Sequence, residues 1–454
     1  MVNLFLSVIA GAALSAAFAP LSIWWLAPVA LGLHMVSINR CARPFLNAFI
    51  FALVFNAVSL HWTSIYVGAT PWIILCIGQA ALCAPLGFVK KYGISFYPLI
   101  FLVLEELRSR FPFGGFGWLR IGFSQGDAPY KNIAAYGGVS ALTAVVLILA
   151  LGLFTLLRGK LLLFPLLPLL VLLVSIPVNT VGSIKVLMVQ GDVPQLGLDF
   201  NSRATAVFYN HLQETRSALH ANSDVDLILW PENAVDVDPF TTATVSQSLD
   251  ALHTPLIIGA VIRTHGQLQN VSILWTDTSR QIYVKRHLTP FGEYIPLRTL
   301  AAKISPLVDT VESFSAGRTA TTFTVKNAQI APIICFELID DHLVSRAAQS
   351  SDLLVVQTNS ATFGMSPESA QQLAISRIRA IEHGRNLLSV STTGISAVID
   401  NHGTVIQQSA MHEAAHIVTT AGLIDGHTPR DKAGDWALGV TAVWLLIIAR
   451  RRYA

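Results

Sequence analysis

The chain has 454 residues, of which 53% are hydrophobic and only 13% charged, and its formal net charge is +3. Globular domains ordinarily carry about 25% charged residues, so this composition excludes an ordinary soluble protein. So small a net charge also gives no ground for a nucleic-acid partner.

The charge deficit lies in residues 1–180 and in the last twenty, whereas 183–430 has normal polarity. The expected organisation is a transmembrane helical domain over 1–181, a folded polar domain over 183–430, and a final transmembrane helix with a basic tail over 435–454. Candidate spans are roughly 3–19, 23–38, 45–66, 71–89, 92–107, 134–157, 161–181 and 435–449. Residues 4–18 run straight into further apolar segments, so they read as a first span and not as a cleavable signal. Basic residues follow the even-numbered spans: Arg40 and Arg43, Lys90 and Lys91, Arg158 and Lys160, and Arg450 to Arg452. If those sides are cytoplasmic, the N-terminus is inside and the polar domain outside.

The loop near 108–133 then lies outside although it carries Arg108, Arg110, Arg120 and Lys131. Such a loop beside a bilayer is either tolerated or used to hold phospholipid phosphates. It reads Phe111-Pro-Phe-Gly-Gly-Phe-Gly-Trp118-Leu-Arg120-Ile-Gly-Phe-Ser-Gln125, aromatics interleaved with glycine, which suits a membrane interface. Trp24, Trp25, His61, Trp62 and Tyr66 read as interfacial anchors. Glu105 and Glu106 at a span end should face water or pair with an arginine such as Arg108.

From Ser183 the pattern becomes short β-branched runs alternating with helical stretches. Strands are expected at 184–190, 227–230, 256–263, 271–277, 282–285, 330–335, 353–358, 387–391, 397–399 and 416–419. Helices are expected at about 201–221 and 368–382. Strands mixed with helices over this length suit one α/β domain.

Three polar groups sit at or just past the ends of such strands. Glu232 follows Leu-Ile-Leu-Trp-Pro, Lys285 follows Ile-Tyr-Val, and Cys335 follows Ile-Ile. Residues just beyond strand ends line the site of an open α/β sheet. Cys41, Cys76 and Cys83 lie in or beside apolar stretches, so Cys335 has no disulfide partner within the polar domain. A buried structural cysteine is the commoner fate of a free thiol. Here, however, a carboxylate is available as base and a lysine as oxyanion donor, a sufficient kit for thiol-mediated acyl transfer. His287 and His342 are near in sequence but not at strand ends, and the thirteen histidines are scattered, so neither a Cys/His pair nor a metal site is expected. No cofactor is expected.

The order Trp-Pro-Glu232, then Lys285-x-His-Leu-x-Pro-Phe-Gly-Glu293-x-x-Pro, then Ile-Cys335-Phe-Glu337 resembles the carbon–nitrogen hydrolase (nitrilase) superfamily. The middle motif is similar to its membrane branch, the apolipoprotein N-acyltransferase family. The resemblance extends to the apolar first part, to Met188-Val-Gln-Gly-Asp-Val-Pro-Gln195 and to the final span. It implies a four-layer α-β-β-α sandwich on a multi-span helical bundle in the bacterial cytoplasmic membrane, with the catalytic domain extracytoplasmic. It implies Glu232 as general base and acid, Lys285 as oxyanion stabiliser and Cys335 as acylated nucleophile. Glu293, Glu337 and Asn359 would support the site, and Trp118, Arg120 and Phe336 would handle lipid. The implied reaction moves an acyl chain from a phospholipid, through a cysteine thioester, to the α-amino group of a diacylglyceryl-modified apolipoprotein. The alternatives are a membrane-bound amidase or esterase and a degenerate relative that binds lipid or a partner. The sequence departs from the family pattern at Asn359-Ser360-Ala-Thr362-Phe363-Gly364, where Asp and Trp are usual. It departs again at Glu368-Ser-Ala-Gln-Gln-Leu, at Thr392-Thr393-Gly394, and at Phe336, where Tyr is usual. These changes bear on substrate shape and leave Glu232, Lys285 and Cys335 intact.

Overall fold

A computed structural model describes residues 2–160, 175–193, 205–302, 312–434, 436 and 439. Its first helices are α1 (Val2–Ser15), α2 (Leu26–Arg40), α3 (Pro44–Ser59), the short α4 (Ser64–Val67), α5 (Ala69–Cys83), the short α6 (Val89–Tyr92), α7 (Tyr97–Arg110) and α8 (Ala134–Leu156). Strands and helices then alternate: β1 (Asn179–Gln190), α9 (Ala206–Ala221), β2 (Leu227–Leu229), α10 (Ala243–Asp250), β3 (Leu256–Thr264), β4 (Gln267–Trp275), β5 (Arg280–Val284) and α11 (Arg298–Ala301). They continue as β6 (Phe323–Val325), β7 (Ala328–Ile334), α12 (Asp341–Gln349), β8 (Leu353–Thr358), α13 (Glu368–His383) and β9 (Asn386–Ser391). The last are β10 (Ala397–Ile399), β11 (Val405–Gln408), β12 (Ala415–Asp425) and α14 (Pro429–Ala433).

The chain divides into two compact units. One comprises Met1–Pro177, Ser366–Gly384 and His427–Ala454, and the other Val178–Met365 and Arg385–Gly426. The polar segment 183–430 is therefore not spatially continuous: α13 and α14 belong with the first unit.

Among the described residues of the helical unit, two stretches are long and apolar enough to cross a membrane: Ala69–Tyr92, mean hydropathy 2.0, and Lys131–Leu156, mean hydropathy 2.5. The apolar helices Val2–Ser15 and Pro44–Ser59 are shorter. Apolarity locates these segments in sequence, but turns and glycines cut the helices shorter than the runs. Gly68 and Gly93, for example, both have positive φ and bound α4 and α6. Of the expected span at 161–181, residues 161–174 lie outside the described residues, and of that at 435–449 all but 436 and 439 do. The end of the former, from Asn179, is strand β1. Of the expected helix at 201–221, residues 201–204 also lie outside.

Several buried polar groups inside this unit pair with one another. Glu105 lies 3.6 Å from Arg108, one of the two outcomes expected of it. Glu106 accepts from both Arg110 and Arg120, and Arg120 also donates to Ser140 at 2.7 Å. Arg108 and Arg120 are buried and paired, which corrects the picture of a basic loop open to phosphate at these two positions. Trp62 is likewise buried and not an interfacial anchor. Its indole N–H and that of Trp118 both donate to Gln371 Oε1, at 3.0 and 2.8 Å. Gln371 in turn donates to Ala19 O and Ser59 O, so α13 ties together three loops of the unit.

The second unit holds two six-stranded sheets, ordered β12-β1-β2-β3-β4-β5 and β11-β10-β9-β8-β7-β6. Strand β1 shows how the layers arise. Ile184, Val186 and Met188 share one apolar cluster with Ile330, Ile334, Val355 and Leu388 of the other sheet. Leu187 and Val189, on the opposite face, pack with Phe208 and Leu212 of α9 and Val245 of α10. This period of two sets sheet against sheet on one side and helix against sheet on the other. Helix α12 packs its buried Leu343, Val344, Ala347 and Ala348 toward β7 and β8. The parallel neighbours β1, β2 and β3 in one sheet, and β7, β8 and β9 in the other, bring their carboxyl ends to matching edges.

Candidate active site

Glu232 lies two residues past Trp230, directly after β2. Its carboxylate position is set by backbone: Trp230 N donates to Ile257 O and Gly259 N to Pro231 O. A Cβ on Gly259 would stand 2.4 Å from Pro231 O and 2.5 Å from Glu232 Cα, so glycine is required for this close approach. Gln357 from the other sheet closes the loop from behind, donating to Trp230 O at 2.7 Å.

Lys285 follows β5 and is buried. Its ammonium donates to Glu232 Oε1 at 3.2 Å, Glu293 Oε1 at 3.0 Å and Thr289 Oγ1 at 3.3 Å. Asn270, from the middle of β4, donates through Nδ2 to the same two carboxylate oxygens, at 2.8 and 2.7 Å. One ammonium and one amide thus bridge two carboxylates. Both donors to Glu232 reach Oε1, and among the described residues none reaches Oε2. That oxygen is the one available to take a proton.

Burial opposes the charge on Lys285. The neighbouring carboxylates of Glu232 and Glu293, with Cys335, outweigh burial and hold its pKa above the ordinary lysine value. Burial likewise opposes ionisation of Glu293, but Lys285 and the Thr289 N–H hold its pKa below the ordinary carboxylate value. The cluster is therefore an ammonium facing ionised Glu293 at neutral pH.

Cys335 starts the turn after β7, with φ of 50°. This left-handed conformation disfavours a side chain by about 1–2 kcal/mol, and the surroundings must over-determine it. Glu337 is one of the groups that do so. Its Oε2 accepts from Ile334 N at 2.8 Å, and its Oε1 accepts from Tyr283 Oη at 2.8 Å, Arg286 N at 2.6 Å and His287 N at 3.2 Å. Burial raises the Glu337 pKa, and the Ile334 and Arg286 N–H groups, Lys285 and the Tyr283 hydroxyl oppose the rise. Glu337 is thus a brace joining the thiol turn to the lysine segment. Phe336 is buried and meets the His287 ring edge-on, centroids 5.5 Å apart.

Glu232, Lys285 and Glu293 are joined in one hydrogen-bonded cluster, Cys335 is near enough for its charge to act on Lys285, and Glu337 ties the Cys335 turn to the Lys285 segment. Asn359 is engaged elsewhere, accepting from Thr392 Oγ1 at 2.9 Å and Ala361 N at 3.1 Å. Trp118 and Arg120 lie in the helical unit. Sequence reasoning missed Asn270 and Gly259, because a mid-strand amide and a glycine carry no signal until their cross-sheet neighbours are known. Among the described residues, no group of histidine, cysteine and carboxylate side chains is arranged to hold a metal ion.

Two family models match this chain: Apolipoprotein N-acyltransferase N-terminal domain over residues 10–152, and Carbon-nitrogen hydrolase over residues 189–423. The chain is 30% identical to an apolipoprotein N-acyltransferase of Mycolicibacterium smegmatis, over 97% of this chain and 84% of the relative. It is 28% identical to one of Photobacterium profundum, over 99% of this chain and 96% of the relative. Among solved structures it is similar to Saccharomyces cerevisiae Nit3, a member of branch 10 of the nitrilase superfamily, with TM-score 0.41 and 16% identity. That likeness covers 54% of this chain and 91% of the other.

Proposed function

The chain belongs to the apolipoprotein N-acyltransferase family, and from that premise we propose that it moves an acyl chain from a phospholipid to the α-amino group of a diacylglyceryl-modified apolipoprotein. The observation that carries this reading is the intact cluster. A thiol on a strained turn stands with a carboxylate whose Oε2 is open and an ammonium that contributes to one charge network with it. Glu232 takes the Cys335 proton, the thiolate attacks the donor ester, and Lys285 stabilises the oxyanion. The lysophospholipid leaves with the proton from Glu232, and the acceptor amine then attacks the thioester, passing a proton to Glu232 and expelling the Cys335 thiolate, which takes that proton back. The match to relatives over 84% and 96% of their length, together with the family model over the apolar first part, supports a lipid donor over a soluble amide.

The test is mass spectrometry of a lipoprotein N-terminal peptide from cells with and without this protein. The expected difference is the mass of one acyl chain, present only with the protein. A peptide of the same mass in both, alongside release of free fatty acid from phospholipid, would instead identify a hydrolase using water.

The bundle is proposed to span the cytoplasmic membrane about eight times, with 183–430 outside the cytoplasm. The support is the run of Arg and Lys after even-numbered apolar segments. A reporter fused near residue 300 is expected to behave as extracytoplasmic, and one after Ala454 as cytoplasmic. The reverse pattern overturns the orientation and removes the enzyme from the side where its acceptor would be.

A further inference from the structure

The reaction needs groups from both sheets. Glu232 and Lys285 follow β2 and β5 of one, and Cys335 follows β7 of the other. Something must hold the two in register, and Glu337 is one such brace. A second pair does the same at the far end of the turn. Asp340 ends the Cys335–Ile339 turn, and its Oδ1 caps α12, accepting from His342 N and Leu343 N at 3.0 Å each. Its Oδ2 lies 2.8 Å from His287 Nδ1. A carboxylate there can only accept, so Nδ1 carries the hydrogen. Burial raises the Asp340 pKa, but the His287 bond and the Leu343 N–H outweigh burial and keep it below the usual value.

His287 is two residues from Lys285, and its backbone N–H already donates to Glu337. Its ring lies against Phe336, the neighbour of Cys335. The thiol turn is thus gripped twice by segment 285–287, once through Glu337 and once through Asp340. We propose that Asp340 and His287 form a positioning pair that registers the Cys335 turn of one sheet against the Lys285 segment of the other. The pair touches no reacting atom. It fixes the separation between thiol and ammonium, and so the ease with which the thiolate forms. This deepens the thiol reading above and rests on it. The titratable and charged groups facing the turn are Glu232, Tyr283, Lys285 and Arg286 from the first sheet, Glu293 beyond them, Glu337 within the turn, and His287, Asp340 and Asp341 at its end.

The test uses the full-length protein in phospholipid vesicles, with Asp340→Asn and His287→Gln made singly and together. Asparagine keeps the helix cap, so folding should survive. Two readouts are taken: the pH profile of Cys335 alkylation by iodoacetamide, resolved by peptide mass spectrometry, and kcat with KM for acyl transfer. Drawing the ammonium away from the thiol should move the alkylation profile up by about one pH unit. It should lower kcat about tenfold at unchanged KM, and the double variant should be no worse than either single. A purely structural role would lower the active fraction without moving the alkylation profile. Wild-type alkylation profiles in both singles, or additive losses in the double, overturn the pairing. If Asp340→Asn fails to fold, His287→Gln alone decides, because it leaves the Asp340 cap of α12 in place and takes from the turn only the ring contact with Phe336 and the bond to Asp340. Alkylation needs no substrate, so a failed alkylation shift refutes the pairing even where acyl transfer is demonstrated. A demonstrated shift without acyl transfer refutes the substrate reading alone.

Discussion

Cys335→Ala is expected to abolish acyl transfer, with a loss of at least about a thousand-fold, because the covalent intermediate has no other atom to form on. Alanine keeps the Cβ and accepts the same left-handed backbone about as well as cysteine does, and Cys335 is only partly buried against the core. Expression and melting temperature should therefore stay close to those of the unaltered protein, and the loss can be assigned to chemistry. Cys335→Ser should retain very little activity. A hydroxyl is far harder to ionise than a thiol, and one carboxylate, Glu232, is the available base. The measurement is transfer of a radiolabelled or fluorescent acyl chain from phospholipid to a lipopeptide amine, at matched amounts of folded protein. Normal turnover by the alanine variant would rule out the thioester route.

The candidate cluster was legible in the sequence because Glu232, Lys285 and Cys335 each end a short apolar strand. Trp230-Pro231 before Glu232, Tyr283-Val284 before Lys285 and Ile333-Ile334 before Cys335 all read as strand exits, and sheet ends are where reactive side chains gather. Most strands were legible for the same reason: β10 has the expected bounds, and β8 does too. Strand β1 begins at Asn179, five residues before the apolar alternation starts, because its polar first part pairs with β12 and not with the core. Helix α12 escaped notice. Nine residues with Leu343, Val344, Ala347 and Ala348 as the buried face are too short for periodicity to declare itself. Asn270 looks like a polar strand residue until β4 is laid beside β3 and β5, whereupon its amide falls between Glu232 and Glu293. Asp340 and His287 are 53 residues apart in sequence, and the register of two sheets brings them together. In the apolar part, hydropathy marks which segments leave water, but it cannot see that Trp62, Arg108 and Arg120 turn inward to polar partners.

The second large effect concerns the division of labour between Glu232 and Lys285. The donor is a lipid ester and the acceptor an amine on another lipidated molecule, and both must use one thiol, which argues for successive occupancy. In the resting site the three N–H bonds of Lys285 already have three acceptors, Glu232, Thr289 and Glu293. An oxyanion must displace one. When Glu232 takes the thiol proton it loses its charge, and its hold on Lys285 weakens just as negative charge develops on the substrate carbonyl oxygen. In the proposed cycle, base and oxyanion donor are thus coupled through Glu232 Oε1, while Oε2 handles the proton. Losing an oxyanion donor typically costs about 2.7–4 kcal/mol, or roughly a hundred- to a thousand-fold in rate. Lys285→Ala should therefore slow both thioester formation and its aminolysis by that order, with KM for phospholipid little changed. It also leaves Glu293 buried without its cation, so a lowered melting temperature is expected and the folded fraction must be measured in parallel. Glu232→Gln should behave differently. Glutamine can still accept from Asn270 and Lys285 through its carbonyl oxygen, so the cluster should hold, but the thiol loses its base. Incubation with phospholipid and no acceptor should trap an acyl group on Cys335 in the unaltered protein, released by neutral hydroxylamine. Lys285→Ala should trap it slowly and Glu232→Gln not at all. If transfer runs at its normal rate while rapid quench finds no thioester, and only when both substrates are bound together, the two-step cycle is wrong and Glu232 must act on the amine directly.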